Sequence, residues 1–274
     1  MIPLVLVDGH NLLWRAAYGF PSRILGKDGS NQTTLFGFFA LVCAAIKRVN
    51  QSAEWIVCFD GEWGTNVRRE EYSQYKLNRT NASTEPIQAL PGIKEGLESV
   101  GIQWVELDEH EADDLISTFV ERDLNRMMYI LSTDKDFYQL ITDRVFVLNT
   151  ARKATKCVID VKEVMNRYEV TPSQWCDFMA LTGDSSDNIQ GVRGIGPVTA
   201  ARLLSGGLRL EDLENMGRLR GRVGALVSNQ LEQLFRTRDI MRFRPVPDLP
   251  DIIEYSPTHP LDSAASVLRS LQIW

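Results

Sequence analysis

Carboxylate side chains follow apolar segments at several points along the first half of the chain. Asp8 comes directly after residues 3–7, Asp60 directly after residues 55–59, and Asp134 shortly after residues 127–131. Carboxylate oxygens are the ligands that Mg²⁺ prefers in proteins, and paired ions favour in-line displacement at phosphate. The pattern therefore predicts a divalent-cation site that acts on a phosphate ester.

Two further acidic motifs enlarge this set: residues 111–114 read Glu-Ala-Asp-Asp, and residues 183–188 read Gly-Asp-Ser-Ser-Asp-Asn. So many like charges repel one another in one cleft unless cations compensate them. Taken singly, each acid is also compatible with a helix cap, a first helical turn or a solvated surface. Taken together, the set favours metal binding, and the candidate ligands are Asp8, Asp60, Glu111, Asp113, Asp114, Asp134, Asp136, Asp184 and Asp187.

The elements that must position these acids form an alternating pattern. The predicted strands are residues 3–7, 55–59, 102–105, 127–131 and 145–148, and the predicted helices between them are residues 35–49, 91–100 and 112–124. Such alternation predicts the α/β class, with a mostly parallel central sheet. Ligands of open α/β sheets collect at the carboxyl ends of the strands, so we expect four of the five acidic motifs to converge there.

From residue 161 onward the sequence predicts helices only. They cover residues 172–181, 199–204, 210–216, 222–236 and, after a Pro-rich link, 261–271. We therefore expect an α/β core over residues 1–160 and a helical region over residues 161–274.

Several classes of protein are disfavoured by the composition. No run approaches the roughly 20 apolar residues that a membrane span needs, and residues 1–8 lack the basic start and cleavage site of a signal peptide. The four cysteines are scattered in apolar stretches, which favours free buried thiols and a cytoplasmic location. The three histidines have no nucleophile at a meaningful spacing, so no Ser-His-Asp or Cys-His site is expected.

The net charge of −6 argues at first against a nucleic-acid partner, but the charge is segregated along the chain. Residues 106–114 carry six acids, whereas residues 191–209 carry three arginines and no acid. Basic segments of this kind hold phosphate while an acidic cluster serves another purpose.

One basic segment contains a glycine turn. Glycines at 194 and 196 precede Pro197, which predicts a helix start whose free N–H groups would face a phosphate. The alternative is a plain tight turn between two helices. Arg193 and Arg202 favour binding to a DNA backbone.

Another segment, residues 68–79, interleaves basic and aromatic residues. Its cations Arg68 and Arg69 would hold phosphate, and the rings of Tyr72 and Tyr75 would stack on unpaired bases. The alternative is a solvated helix with ion pairs along its face.

The motifs together resemble those of the flap endonuclease superfamily, and in particular those of bacteriophage 5′-exonucleases and of the 5′-nuclease domain of bacterial DNA polymerase I. The matching motifs are Val-Asp-Gly-His-Asn, Phe-Asp-Gly, Tyr-Lys-Leu-Asn-Arg, Glu-Ala-Asp-Asp, Thr-Asp-Lys-Asp, Gly-Asp-Ser-Ser-Asp-Asn and Gly-Ile-Gly-Pro-Val-Thr-Ala. They occur in the family's order from Asp8 to about residue 204, and the resemblance weakens after that.

The resemblance implies a PIN-like 5′-nuclease core with a helical arch at about residues 63–95 and a helix–two-turn–helix element at about residues 185–205. The first metal site would be formed by Asp8, Asp60, Glu111, Asp113 and Asp134, and the second site or its outer shell by Asp114, Asp136, Asp184 and Asp187. The residues near the scissile phosphate and at the base of the arch would be Arg15, Tyr75, Lys76 and Arg79. The element that holds duplex DNA, often with a K⁺ ion, would include Gly194, Gly196, Val198 and Thr199.

The expected activity is metal-dependent hydrolysis of phosphodiester bonds in branched or 5′-ended DNA, as a flap endonuclease and 5′–3′ exonuclease in replication and repair. Mg²⁺ is the expected cofactor, with Mn²⁺ able to substitute, and the products would carry 5′-phosphate and 3′-hydroxyl ends. We expect a free-standing, nucleoid-associated monomer. Three alternatives remain open: a PIN-type ribonuclease, a non-catalytic junction binder and a piece of a polymerase.

Two positions depart from the family pattern. His10 stands where Ser, Asn or Thr is common, and Val198 replaces a lysine of the glycine turn. The second departure is expected to weaken the phosphate grip at that turn and to leave more of it to Arg193 and Arg202.

Overall fold

A six-stranded sheet forms the centre of the protein, in the strand order β3-β2-β1-β4-β5-β6. The computed structural model describes residues 1–49, 51–79, 84–251 and 261–274. The strands of the sheet are β1 Leu4–Asp8, β2 Glu54–Asp60, β3 Gln103–Leu107, β4 Met128–Leu131, β5 Val145–Leu148 and β6 Val158–Ile159. The first five pair in parallel, and β6 pairs with β5 in the antiparallel sense.

The centre of the sheet lies at β1, which pairs with β2 on one side and with β4 on the other. Its apolar side chains alternate between the two faces, because successive residues of a strand point in opposite directions. Leu4 and Leu6 join one buried cluster, and Val5 and Val7 join the other. The strand order reverses between β1 and β4, and crevices at such switch points are where α/β sheets bind ligands.

Helices cover both faces of the sheet. They are α1 Gly9–Gly19, α2 Thr33–Val49, α3 Asn66–Glu71, α4 Leu90–Ser99, α5 Ala112–Arg122, α6 Val161–Tyr168, α7 Trp175–Thr182, α8 Pro197–Leu203, α9 Gly221–Ser228, α10 Leu231–Met241 and α11 Ala264–Ser270. One cluster is built from α1, α2, α4 and α11, and the other joins α5 to the five helices α6 to α10.

The predicted α/β class with a mostly parallel sheet is confirmed, and the five predicted strands are present with ends shifted by one or two residues. The prediction that strands end at residue 161 is wrong, because β7 Gly183–Asp184 and β8 Ile189–Gln190 form a small antiparallel pair. The helix predicted over residues 222–236 is two helices, α9 and α10, separated at Asn229 and Gln230. The segment at 210–216 is helical only over Leu210–Asp212, as a short 3₁₀ turn.

Two observations on the described residues bear on expectations from composition. In the described ranges no helix is both long enough and apolar enough to cross a membrane. Cys43, Cys58, Cys157 and Cys176 are all buried and free, as predicted.

The predicted arch, residues 63–95, lies partly outside the described residues, which omit 80–83. Its described portions are α3, a 3₁₀ turn at Leu77–Arg79, another at Glu85–Ala89, and α4. The role predicted for the Arg79 side chain also lies outside what the structure describes, so Arg79 stays a prediction.

Candidate functional site

A cavity of about 1140 Å³ opens at the switch point of the sheet. Carboxylates from four different segments line it: Asp8 at the end of β1, Asp60 at the end of β2, Asp113 in the first turn of α5, and Asp134 after β4. The expected convergence of four acidic motifs is thus observed. The cavity, which we call the acidic cavity, is where the carboxyl ends of the central strands meet.

Glycines allow the two Asp-Gly motifs to come this close. A Cβ on Gly61 would lie 2.0 Å from the carbonyl oxygen of Leu107, and a Cβ on Gly9 would lie 2.5 Å from the ring of Phe59. Neither position has room for a side chain. The glycines therefore hold the ends of β1, β2 and β3 together beneath the acidic cavity.

Asp8 is a buried carboxylate that also caps a helix. Its Oδ1 accepts a hydrogen bond from the backbone N–H of Asn11 at 3.0 Å, which satisfies one free N–H group at the start of α1. Its Oδ2 accepts from Ser132 Oγ at 2.8 Å. The pKa of Asp8 is raised to about 7, chiefly by burial and in part by the charges of Asp60 and Asp134, although the two hydrogen bonds act in the opposite direction.

The pKa values of two neighbouring carboxylates are raised for the same reasons. Burial raises the pKa of Asp113 well above its ordinary value, and the charges of Asp8 and Asp134 add to this. Burial likewise raises the pKa of Asp136, together with the charges of Asp134 and of the Asp184–Asp187 turn. Each ionised group thus makes ionisation of the others less favourable.

This donor set suits a hard divalent cation. The groups that line the acidic cavity offer carboxylate oxygens, and a positive ion among them would relieve the repulsion that raises their pKa values. In the described ranges, no three His, Cys, Asp or Glu side chains are already disposed as ligands around one point. Four of the nine predicted ligands therefore line one cavity, and the nine-residue ligand set stays a prediction.

Two predicted ligands, Glu111 and Asp114, are engaged elsewhere. Arg68 makes buried ion pairs with both carboxylates, including 2.6 Å from its Nη2 to Asp114 Oδ1. Glu111 also pairs with Lys76 Nζ and accepts from Tyr75 Oη at 3.2 Å. The predicted metal role of Asp114 is corrected for this conformation: its carboxylate serves as the anchor of Arg68.

Arg68 is consequently not available to DNA, and the prediction that it contacts phosphate is wrong. It is 3% exposed, and besides its two ion pairs it donates to the carbonyl oxygens of Ile240 and Arg242. These bonds join α3, the start of α5 and the end of α10. Arg69, the next residue, is half-buried and donates to the carbonyl of Tyr75 at 3.2 Å.

The aromatic residues of the same segment are also less exposed than predicted. Tyr75 is 4% exposed, so its ring belongs to the core, and Tyr72 is half-buried and packs against that core. The prediction that Tyr75 offers a stacking face is wrong, because its ring is covered and its hydroxyl bonds to Glu111.

Two cationic side chains reach the acidic cavity. Lys76 lines it beside Asp113, while its Nζ is paired with Glu111. Arg15 lines it from α1, and its Nη2 donates to Thr150 Oγ1 at 3.0 Å. The other terminal nitrogen of Arg15, Nη1, is buried without a partner among the described residues, which leaves a donor for an anion.

The turn that carries Asp184 and Asp187 is tied to the residues around Lys76. The backbone N–H of Lys76 donates to the carbonyl of Asp187 at 3.0 Å, and Asn188 Nδ2 donates to the carbonyl of Gln74 at 2.8 Å. Asn78 Nδ2 donates to the carbonyls of residues 185 and 186 at 3.0 and 3.3 Å. We call this set of bonds the tether between the segments 74–78 and 185–188.

The glycine turn lies on the far side of this tether and is open to solvent. Arg193, Gly194, Gly196 and Arg202 are exposed, Val198 is 80% exposed, and Thr199 is half-buried. Gly194 has φ of +93°, a backbone conformation that favours glycine. Helix α8 begins at Pro197 directly after this turn.

Sequence reasoning missed several residues that line the acidic cavity. Trp14 and Tyr18, one helical turn apart on α1, stack with 6.0 Å between ring centroids, and Tyr18 is 67% exposed. Asn11 exchanges hydrogen bonds with Thr133 across the ends of β1 and β4. The available signal for the aromatic pair was that two aromatic residues, at positions 14 and 18, stand four apart in the segment after the first Asp-Gly motif, which places them on one face of a helix.

An acid-lined cavity at the switch point of a parallel sheet, with cations in its wall, is the kind of site that metal-dependent phosphodiesterases with an α/β core use. The sequence comparison specifies the family. Residues 3–169 match the 5′–3′ exonuclease N-terminal resolvase-like domain, and residues 170–260 match the 5′–3′ exonuclease C-terminal SAM fold. The chain belongs to the 5′–3′ exonuclease family.

Relatives of known name are bacterial DNA polymerases I. The chain is 32% identical to the thermostable enzyme of Thermus filiformis over 256 residues, which cover 92% of the chain and 29% of that protein. It is 38% identical to the enzyme of Treponema pallidum over 210 residues, which cover 73% of the chain and 20% of that protein. The chain thus spans less than a third of the length of these relatives.

Solved structures share the fold. The T5 5′-exonuclease with bound zinc is 23% identical and matches with a TM-score of 0.69, covering 99% of both chains. The catalytic core of Rad2 in complex with DNA substrate is 17% identical and matches with a TM-score of 0.62, covering 100% of this chain and 87% of the other. Flap endonuclease-1 from Methanococcus jannaschii matches with a TM-score of 0.57 at 16% identity, covering 98% and 85%.

Proposed function

We propose that the chain is a divalent-metal-dependent 5′-nuclease that hydrolyses phosphodiester bonds in branched or 5′-ended DNA, as a flap endonuclease and 5′–3′ exonuclease. The observation that carries the proposal is the acidic cavity, in which four carboxylates from separate segments of the chain meet Lys76 and Arg15. Family membership supports the reaction, and the relatives, DNA polymerases I, support a role in replication and repair. Two structural neighbours, the T5 5′-exonuclease with bound zinc and the catalytic core of Rad2 in complex with DNA substrate, support a divalent metal as cofactor and DNA as substrate.

The proposed metal ligands are the carboxylates in and beside the acidic cavity: Asp8, Asp60, Asp113 and Asp134 on the first site, and Asp136, Asp184 and Asp187 on the second. Glu111 would act from the edge of the first site. Mg²⁺, or Mn²⁺ in its place, would supply a water of lowered pKa and stabilise the leaving 3′-oxygen when bound.

The residues of the chain itself bind and orient the substrate. Arg15 holds a phosphate oxygen through Nη1, the nitrogen that has no hydrogen-bond partner among the described residues. Lys76 supplies positive charge at the reacting phosphate, for which its side chain turns from Glu111 toward the cavity that it already lines. Charge placed where the transition state develops its own charge stabilises that state selectively.

Duplex DNA would rest on the exposed glycine turn. Arg193 and Arg202 would contact phosphates, and the N–H groups at the start of α8 would face the backbone, with K⁺ on carbonyl oxygens of the turn. We propose that the α/β core ends at residue 160 and that the helical region follows it. The arch would lie at about residues 63–95 and the helix–two-turn–helix element at about residues 185–205. We also propose that the chain acts as a monomer at the nucleoid, which a sedimentation measurement with and without DNA would check.

The decisive experiment incubates the protein with a 5′-flap duplex, plain single-stranded DNA and single-stranded RNA, with and without Mg²⁺. The proposal expects metal-dependent cutting near the flap junction, with 5′-phosphate products. Preferential cutting of the RNA would favour a PIN-type ribonuclease instead. Tight flap binding with no cutting in Mg²⁺ or Mn²⁺ would identify a non-catalytic junction binder.

A further inference from the structure

His10 occupies a position in the acidic cavity that the proposed reaction leaves without a role. It is the second residue of α1, two residues after Asp8, and its side chain is 15% exposed. Its ring meets the ring of Phe59 edge to face, with 5.9 Å between centroids. The ring is therefore held in place by packing as well as by a hydrogen bond.

That hydrogen bond determines which nitrogen carries the proton. The backbone N–H of Asp60 donates to His10 Nδ1 at 3.0 Å. A backbone N–H is always a donor, so Nδ1 must offer its lone pair, and the single proton of the neutral ring is on Nε2. Asp60 Oδ2 also lies near Nδ1, at 3.4 Å, but the backbone N–H at 3.0 Å is the closer group and favours the tautomer with the proton on Nε2.

The Nε2–H group faces the cavity. No hydrogen bond joins Nε2 to another described residue, and Nε2 is not among the buried polar atoms that lack a partner. Since His10 lines the acidic cavity and Nδ1 is occupied, the open side of the ring is its Nε2–H edge. Because the hydrogen bond at Nδ1 already holds the ring in place, the Nε2–H group loses little conformational entropy when it binds an acceptor.

We propose that His10 is a substrate-binding residue whose Nε2–H donates to a non-bridging oxygen of the phosphodiester that is cut. The inference rests on the proposed nuclease function and adds to it a contact that fixes the orientation of the phosphate. Two carboxylates of the cavity already accept hydrogen bonds: Asp8 accepts from Asn11 and Ser132, and Asp60 accepts from the N–H of Ala112. The contact of Asp60 Oδ2 with His10, at 3.4 Å, is on the Nδ1 side of the ring.

A neutral donor is suited to this place for a physical reason. A lysine or arginine among ionised carboxylates forms ion pairs with them, as Lys76 does with Glu111, and so competes with a cation for the same oxygens. An uncharged N–H group holds a phosphate oxygen without that competition. The alternative is that His10 only fastens the end of β2 to α1.

Two substitutions separate the two nitrogens. In His10→Asn the amide oxygen takes the place of Nδ1, which keeps the acceptor for Asp60 and removes the cavity donor. In His10→Gln the amide nitrogen takes the place of Nε2, which keeps the cavity donor and removes the acceptor. Both are compared with wild type by single-turnover cutting of a 5′-flap in Mg²⁺ at saturating enzyme, and by thermal unfolding.

His10→Asn is expected to unfold close to wild type and to cut about tenfold more slowly or worse, as expected for a lost hydrogen bond to a charged oxygen. His10→Gln is expected to be the less stable variant and yet to recover most of the rate. A purely structural role predicts the opposite order of rates, because activity would then follow stability. Wild-type cutting by His10→Asn overturns the inference.

A second measurement identifies the oxygen. A flap with a single phosphorothioate at the cut position is separated into its two diastereomers, and the ratio of wild-type to His10→Asn rates is measured for each. Sulphur is a poor hydrogen-bond acceptor, so the ratio should fall toward one for one diastereomer and stay near its all-oxygen value for the other. The effect of sulphur on metal binding is common to both enzymes and cancels in the ratio.

Equal ratios for both diastereomers would overturn the contact with a non-bridging oxygen. Failure of the underlying function has a different signature, because wild type itself would then leave the all-oxygen flap uncut in Mg²⁺. Wild-type activity together with an undiminished His10→Asn rate removes only the role of His10.

Discussion

Replacing Asp8 by Asn should stabilise the metal-free protein in a pH-dependent way. The pKa of Asp8 is raised from 3.8 to about 7 in the fold, chiefly by burial. Between these two values the unfolded chain has lost the proton that the folded chain still holds, so the wild type loses stability as the pH rises. Above about pH 7 this penalty is complete, at about 4 kcal/mol for a pKa difference of about 3. Asn at position 8 has no charge and escapes the penalty.

The comparison of two pH values isolates this effect. Asp8→Asn also weakens the hydrogen bonds from Asn11 and Ser132, which costs about 1 kcal/mol at any pH. That cost cancels when the stability difference between variant and wild type at pH 8 is compared with the difference at pH 5. The raised pKa of the buried Asp8 costs the wild type about 1.6 kcal/mol at pH 5 and about 4 kcal/mol at pH 8. Between these pH values the free energy of unfolding of the variant, relative to that of the wild type, should therefore rise by about 3 kcal/mol.

The assay is urea unfolding of both proteins in EDTA at pH 5 and pH 8. Asp143→Asn, at an exposed position, makes the same change of net charge and should shift the difference by well under 1 kcal/mol. Saturating Mg²⁺ should reverse the order at pH 8, since the wild type binds the ion through Asp8 and is stabilised by mass action. A stability difference that is the same at both pH values would refute the electrostatic reasoning.

Three further outcomes are expected. Lys76→Ala should lower the single-turnover rate by about 100-fold or more with little change in flap affinity. Arg193→Ala and Arg202→Ala should each weaken DNA binding and reduce the slope of log binding constant against log salt concentration by about one. A Lys76→Ala effect confined to affinity would contradict the placement of Lys76 at the reacting phosphate. Arg68→Ala should lower the free energy of unfolding by about 3 to 5 kcal/mol, because it removes the ion pair of the buried Asp114 and leaves Glu111 paired with Lys76 alone. Its neighbour Arg69→Ala should cost about 1 kcal/mol, so equal small losses in a denaturation experiment would argue against a buried Arg68. In Ca²⁺, which supports binding through looser coordination, a gel-shift titration should show tighter binding of a 5′-flap than of a blunt duplex, and equal affinities would count against branch recognition.

The sheet and its acidic ends could be predicted because their signals are local. Each buried strand is a short apolar run, and the acid that follows it lies at the carboxyl end by the geometry of a parallel sheet. Asp8 and Asp60 therefore required no knowledge of distant contacts. The close approach of the Asp-Gly motifs also follows from single residues, Gly9 and Gly61.

The roles of Arg68 and Arg69 could not be separated from sequence. Both are arginines in one short helix, α3, and local periodicity gives no reason to bury the first. Arg68 is buried because α10, more than 160 residues later, supplies carbonyl oxygens from Ile240 and Arg242, and because Asp114 lies opposite. Contacts of that sequence separation depend on how the helical region docks on the core.

The break between α9 and α10 was hidden for a similar reason. Residues 222–236 keep an amphipathic pattern through Asn229 and Gln230, and neither residue is a helix breaker as strong as proline or glycine. The two-residue strands β7 and β8 are also too short to leave an alternating pattern. Both features arise from packing rather than from propensity.

The tether between the segments 74–78 and 185–188 tolerates sequence change unequally on its two sides. Residues 185 and 186 accept the hydrogen bonds of Asn78 through main-chain carbonyl oxygens, so other side chains at these two positions would leave the acceptors in place. Asn78 and Asn188 donate through side-chain amides, which few other residues could imitate. Over evolutionary time, drift in the Asp184–Asp187 turn can alter its surface while Lys76 stays in register with it, whereas the loss of either asparagine would release one attachment point.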